Sequence, residues 1–158
     1  MNEDRIIIRR LTPADTKLAA EAIDILKPAA ERDSRELTED AIRPFLERAA
    51  NVLIVATAAG APVGYAIAYV LDRADRLAPM VLLYEIEVMP ALRGRGIGRA
   101  MVEELKRLGS SLGAVKMWGL TDRENAAGRA LYASCGARFS DAGLLFTWSA
   151  KDLPSSVG

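Results

Sequence analysis

The chain contains no histidine among its 158 residues. That absence excludes imidazole-activated serine and cysteine nucleophiles and most zinc ligation. Cysteine occurs once, as Cys135, so no disulfide can form within the chain. Cys135 falls late in an apolar-periodic segment without a basic partner, the setting of a buried, inert thiol. An excess of one charge is also missing: Lys+Arg and Asp+Glu both count 21. That balance gives no reason to expect nucleic acid or a membrane surface as partner. No apolar run reaches the length of a membrane span. The charged start Asn2-Glu3-Asp4-Arg5 does not read as a secretory signal, so a cytoplasmic location is the expectation. Acid–base work is left to Asp, Glu, Tyr, Lys, water or the substrate.

What is present is an ordinary globular composition, 51% hydrophobic and 27% charged. The length fits one domain with one buried core. Residues 1–151 read as that domain and 152–158 as a loose tail; no repeat or linker divides them.

The pattern along the chain alternates strand and helix signals. Ile6-Ile7-Ile8 is a β-branched run, and Thr12-Pro13 opens a helix that Pro28 ends. Thr38-Glu39-Asp40-Ala41 resembles a capping sequence for a second helix, which Pro44 is expected to bend or delay. Asn51–Ala58 and Val63–Leu71 read as a hairpin about the turn Ala59–Pro62. A polar loop, Asp72–Pro79, leads to the strand Met80–Met89. A helix from about Gly98 to Leu108, a strand Ala114–Leu120, a helix Glu124–Cys135 and a last strand Leu144–Trp148 complete the order β α α β β β α β α β. Gly136 suits the end of the second-last element. This order implies an α/β mixed sheet, mostly antiparallel, with helices on both faces.

The densest local signal is Arg93-Gly94-Arg95-Gly96-Ile97-Gly98, between an apolar strand ending at Pro90 and a helix. Glycines let backbone N–H groups approach a ligand, the helix start adds unpaired donors and a positive dipole end, and Arg93, Arg95 and Arg99 add charge. Such a turn suits a diphosphate, although glycine-rich turns between strands and helices are common. It is not a P-loop, because no Lys-Ser/Thr pair closes it, and its last glycine interval is wrong for a dinucleotide fingerprint.

These segments together resemble the GNAT superfamily of acetyl-CoA-dependent N-acetyltransferases. Ile86-x-Val88-x-Pro90 followed by Arg93-x-x-Gly96-x-Gly98 matches that family's strand and pyrophosphate loop. Thr121-x-x-x-Asn125 matches the place where the family sets an asparagine beside the pantetheine arm, and Ala130-Leu131-Tyr132-x-x-x-Gly136-Ala137-x-Phe139 matches its late helix and tyrosine. The resemblance covers nearly the whole chain. It implies a sheet splayed at its fourth and fifth strands, with Ile86 and Val88 pairing the pantetheine amides like an added strand. It implies a coenzyme turn of Arg93, Gly94, Arg95, Gly96, Ile97, Gly98 and Arg99, with Asn125 beside the arm. It implies acetyl-CoA as co-substrate and no metal. Tyr132 becomes the candidate acid for the leaving thiolate, against its ordinary reading as a half-buried core aromatic. Pairing of two copies through the C-terminal strands is a family habit that would make a homodimer.

Strict alternation places Tyr84, Ile86 and Val88 on one strand face and Leu83, Glu85, Glu87 and Met89 on the other. Two glutamates on a strand otherwise apolar are either solvent-facing or functional. Glu85 or Glu87 is the candidate general base, directly or through water, and the candidate holder of a cationic substrate; spacing does not choose between them. Leu83-Tyr84-Glu85-Ile86-x-Val88 is further similar to the GNAT aminoglycoside 3-N-acetyltransferases, with Glu85 where those enzymes carry an aspartate. On that similarity the acceptor is a primary amine of a cationic small molecule, best an aminoglycoside antibiotic at its 3-N position. Attack is direct in a ternary complex, and Glu85 has the larger effect on the drug. Two other readings stand beside it. One is a protein or peptide N-acetyltransferase, and the other is a non-catalytic CoA-binding module. The carboxylate-rich stretch Glu31–Asp40 leans slightly toward a cation.

Overall fold

The computed structural model describes residues 5–31 and 37–143, together with 145, 147 and 152. Its elements are β1 (Ile6–Arg10), α1 (Thr16–Leu26), α2 (Glu39–Glu47), β2 (Asn51–Ala58), β3 (Ala61–Leu71), β4 (Met80–Val88), α3 (Ile97–Ser111), β5 (Lys116–Gly119) and α4 (Ala126–Ser134). The last strand expected over 144–148 and the tail expected over 152–158 fall largely outside the described residues.

Local chemistry accounts for most of the boundaries. Thr12 caps a short 3₁₀ turn, Pro13–Asp15, with its hydroxyl on the Ala14 N–H and the Asp15 carboxylate on the Thr12 N–H. The α-helix proper therefore starts at Thr16. At its other end Pro28 pushes Lys27 out of the helical region, to φ −69° and ψ 130°. Thr38 caps α2 through the Ala41 N–H at 3.2 Å. Pro44 sits inside α2 and does not delay its start. An interior proline costs about 3 kcal/mol, and burial of Ile42 and Leu46 against the sheet offsets it.

The five strands run in the order β1-β2-β3-β4-β5. The first four are antiparallel neighbours, and β5 joins β4 in parallel after the α3 crossover. One face of the sheet packs on α3 and α4 through Val52, Ile54, Ala66, Ala68, Val81, Leu83, Met101 and Leu105. The other packs on α1 and α2 through Leu53, Val55, Tyr65, Ala19 and Ala22. The fold is thus the mixed, mostly antiparallel sheet with helices on both faces that the element order implies.

The alternation expected along β4 fails at one residue. Leu83 pairs with Ala68 and Glu85 with Ile67, the next residue of β3, so Tyr84 is an extra residue bulged out of the ladder. The faces change over at that point. Val81 and Leu83 enter the α3 core before the bulge, and Ile86 and Val88 pack against the same core after it. The expectation that Leu83 shares a face with Glu85 and Glu87 is therefore corrected: the two glutamates lie on the α1 side, with Tyr65 and Ile67 of β3.

The strands part just beyond. Pairing of β4 with β5 ends at Leu83 and Gly119, while β4 continues to Val88. A Cβ at Gly119 would stand 2.8 Å from the Leu83 carbonyl oxygen. Only glycine lets the two backbones approach so closely where they diverge. From Tyr84 to Val88 the edge that faces away from β3 has no β5 partner.

Candidate active site

The turn after β4 carries the expected backbone. Gly94 and Gly96 have φ values of 76° and 82°, in the left-handed region that other residues avoid. Gly96 is the N-cap of α3, and Ala100 makes the first helical bond, to the Gly96 carbonyl at 2.9 Å. The N–H groups of Ile97, Gly98 and Arg99 precede that bond and form the donor end of the helix. A Cβ at Gly96 would meet nothing within 4 Å, so space for a ligand is open there.

The remaining residues of the turn divide by role. The Ile97 side chain is buried in the α3 core, leaving only its backbone for a ligand. Gly98 lets α4 approach closely, since a Cβ there would come within 3.2 Å of the Leu131 side chain. Arg95 is exposed. Arg99 lines an open groove of about 340 Å³ with Ile8, Glu103 and Arg107, on the β1 side of the helix. Arg93 folds back on the strand: its Nε donates to the Val88 carbonyl at 3.0 Å, and Nη2 lies 3.5 Å from Glu87 Oε2.

The two glutamates have unlike surroundings. Lys27 Nζ donates to both oxygens of Glu85, at 3.3 and 3.0 Å, and the phenol of the fully buried Tyr65 donates to Oε1. Burial, then the bond to Glu85, pushes the Tyr65 pKa up. Glu87 has the longer contact with Arg93. Loss of hydration raises its pKa, Arg93 opposes the rise, and Glu31 and Glu85 add to it. Lys27 and Tyr65 are the functional neighbours that sequence reasoning missed. The Lys27-Pro28 pair is a signal for the first, because a residue before proline leaves the helix and swings its side chain away from the helical row.

Tyr132 of α4 is half-buried against the α3 core, the same core that Ile86 and Val88 of β4 meet. Burial and the charge of Glu87 raise its pKa above the ordinary phenol value, so the hydroxyl keeps its proton through the neutral range. Asn125 is the N-cap of α4: its Oδ1 accepts from the Gly128 N–H at 2.9 Å, and Nδ2 donates to Thr121 Oγ1 at 3.1 Å. One Nδ2 hydrogen remains for another acceptor. No cluster of metal-ligating side chains occurs among the described residues.

A parted strand edge, a glycine turn at a helix start and a half-buried tyrosine on the last described helix are the features of an acyl-transfer domain. The chain belongs to the acetyltransferase (GNAT) family, whose model matches residues 19–137. No curated protein matches it in sequence. Solved structures match it in fold. An aminoglycoside acetyltransferase from an uncultured soil metagenomic sample is 24% identical, with a TM-score of 0.79 over 92% of this chain and 99% of that one. The aminoglycoside N-acetyltransferase AAC(6')-Iy in complex with CoA is 20% identical, with a TM-score of 0.72 over 92% and 95%. A ribosomal-protein-alanine N-acetyltransferase from Brucella melitensis biovar Abortus 2308 is 22% identical, with a TM-score of 0.74 over 91% and 100%. No helix among the described residues is long and apolar enough to cross a membrane.

Proposed function

We propose that the protein transfers acetyl from acetyl-CoA to a primary amine of a cationic small molecule, in a ternary complex and without a covalent enzyme intermediate. The observation that carries this reading is the edge of β4 beyond Leu83 and Gly119, without a strand partner among the described residues, with the Gly96 turn at its far end and Glu87 and Tyr132 near it. A pantetheine arm is a short chain with two amides, and it can add to that edge while its diphosphate meets the donor end of α3. Ile86 and Val88 supply the strand, Gly94 and Gly96 the backbone, and Arg95 and Arg99 the charge. Asn125 contributes chiefly by holding the start of α4.

Glu87 is the better base of the two glutamates. It is half-buried, its pKa is raised toward the working range, and its cation is more distant. It takes one proton from the incoming ammonium. The amine then attacks the thioester carbonyl carbon, the C–S bond breaks, and Tyr132 protonates the departing thiolate. The second amine proton restores the phenol, and Glu87 releases its proton to water. Glu85, already engaged by Lys27 and Tyr65, takes no part in the proton transfer and keeps the Lys27 ammonium neutralised beside the acceptor.

An aminoglycoside is the best acceptor class, supported by the similarity around Leu83–Val88 and by the drug-modifying enzymes among the fold relatives. The 3-N position is the regiochemistry carried by that similarity, and product mapping decides it against the 6' position. A peptide amine is the alternative, favoured by the ribosomal-protein relative. The deciding experiment follows thiol release from acetyl-CoA with aminoglycosides, polyamines, amino acids and peptides. Turnover with a cationic small molecule supports the reading. Turnover with peptides alone overturns the acceptor class, and none at all overturns the enzyme activity assigned here.

A further inference from the structure

The carboxylate pair of β4 already contains cations of its own. Lys27 stands at the C-terminus of α1, where Pro28 holds its backbone extended. Its ammonium reaches Glu85 of β4, 58 residues on, in a part-buried ion pair. The side chains of Lys27 and Glu85 are only 23% and 15% exposed. Tyr65 supports the pair from β3 beneath, so the position of the Glu85 carboxylate is fixed from two elements. The charged groups that face this cluster are Glu31, Glu85, Glu87, Lys27 and Arg93. Within this cluster Lys27 pairs with Glu85 and Arg93 with Glu87.

An acidic pocket built for two closely spaced ammonium groups would leave both carboxylates to the substrate. Here one is filled by a side chain of the protein. We infer that Lys27 is a specificity-determining residue: an internal ammonium that occupies the Glu85 seat and limits an acceptor to one charged amine at the carboxylate pair. The inference rests on the acetyl-transfer reading for its meaning, and names the substrate class of that site more narrowly. The reacting amine goes to Glu87, and any further positive groups of the acceptor lie away from Glu85. Lys27 acts through Glu85 and is a positioning residue for the acceptor.

The test compares 1,3-diaminopropane with propylamine, binding to the CoA complex of the full chain by calorimetry. The parent is expected to bind the two amines within about threefold of each other. Lys27→Met opens the Glu85 seat to the second ammonium and is expected to favour the diamine by about tenfold. Lys27→Gln, which keeps a neutral donor to Glu85, is expected to do the same if Lys27→Met fails to fold. Lys27→Arg is expected to restore the parent's ratio, and adding Glu85→Gln to Lys27→Met is expected to abolish the gain. A diamine-to-monoamine ratio that stays within twofold across parent and variants overturns the proposal, and so does the absence of measurable binding by either amine. The proposed function fails separately, if the parent binds acetyl-CoA and acetylates no amine, because the affinity ratio is read without turnover.

Discussion

Arg93 and Glu87 face each other across the turn they flank, with Nη2 and Oε2 3.5 Å apart, while the Arg93 Nε donates to the Val88 carbonyl. An arginine expected to meet a diphosphate thus has its Nε on the strand and its Nη2 near Glu87. Arg93→Ala should remove the charge that holds the Glu87 pKa down, moving the acidic limb of kcat/KM upward by about a few tenths of a pH unit. Arg95→Ala should leave that limb in place and weaken acetyl-CoA binding, most at low salt. Matching pH–rate profiles for Arg93→Ala and the parent would refute the linkage.

Gly96 offers open space and a left-handed backbone, so the two effects of a side chain there are separable. Gly96→Val should cost about 1–2 kcal/mol in stability from backbone strain and, in the protein that still folds, weaken acetyl-CoA binding by blocking the approach to the α3 donors. Normal binding by calorimetry would remove the turn from the coenzyme site.

Tyr132→Phe keeps the ring against the α3 core and removes the proton. Coenzyme affinity should be nearly unchanged while kcat falls roughly 10²–10⁴-fold. An unchanged kcat would leave Tyr132 a core aromatic and nothing more.

Glu85→Gln and Glu87→Gln should differ in kind. Glu87→Gln is expected to lower kcat and flatten the acidic limb of the pH–rate profile, as loss of a base does. Glu85→Gln is expected to raise KM for a cationic acceptor, because the Lys27 ammonium it neutralises is left facing the amine, and to leave the limb alone. Kinetics of both variants with a gentamicin-type aminoglycoside and with a peptide amine separate the roles; the reverse pattern would make Glu85 the base.

The raised pKa of Glu87 also has a sign in stability. A carboxyl whose pKa is raised on folding, from an unfolded value of about 4.3, binds its proton more tightly in the folded protein. Its stabilising contribution is complete below the unfolded pKa and is lost as pH rises through the folded one. Glu87→Gln should therefore melt higher than the parent at pH 7, and the gap should close below about pH 4. Thermal melts across that range check it; a parent that is the more stable at pH 7 would contradict the direction.

Much of this was legible in the chain because its signals are local. The Gly94–Gly98 spacing, the Thr38 cap and Gly136 at the end of α4 each act within a few residues, and each is where the sequence puts it. The bulge at Tyr84 was not legible, since period-two counting has no term for a residue that leaves the ladder. Gly119 carries no signal of its own within Ala114–Leu120, because its constraint comes from Leu83 on another strand. Lys27 and Glu85 are joined only by the packing of α1 over the sheet, and no window along the chain contains both.

The extra residue at Tyr84 also guards against misassembly. Were β4 to pair with β3 without it, the residue opposite Ile67 would be Tyr84, and Glu85 would fall opposite Ala66, within the α3 core. Glu87 would follow two residues later. Two carboxylates would then lie among Met101, Leu105 and Val102, far more costly than any gain from a regular ladder. The charges of this strand thereby discriminate between alignments during folding: the slipped hairpin is penalised at once, and only the kinked one lets both helical layers close.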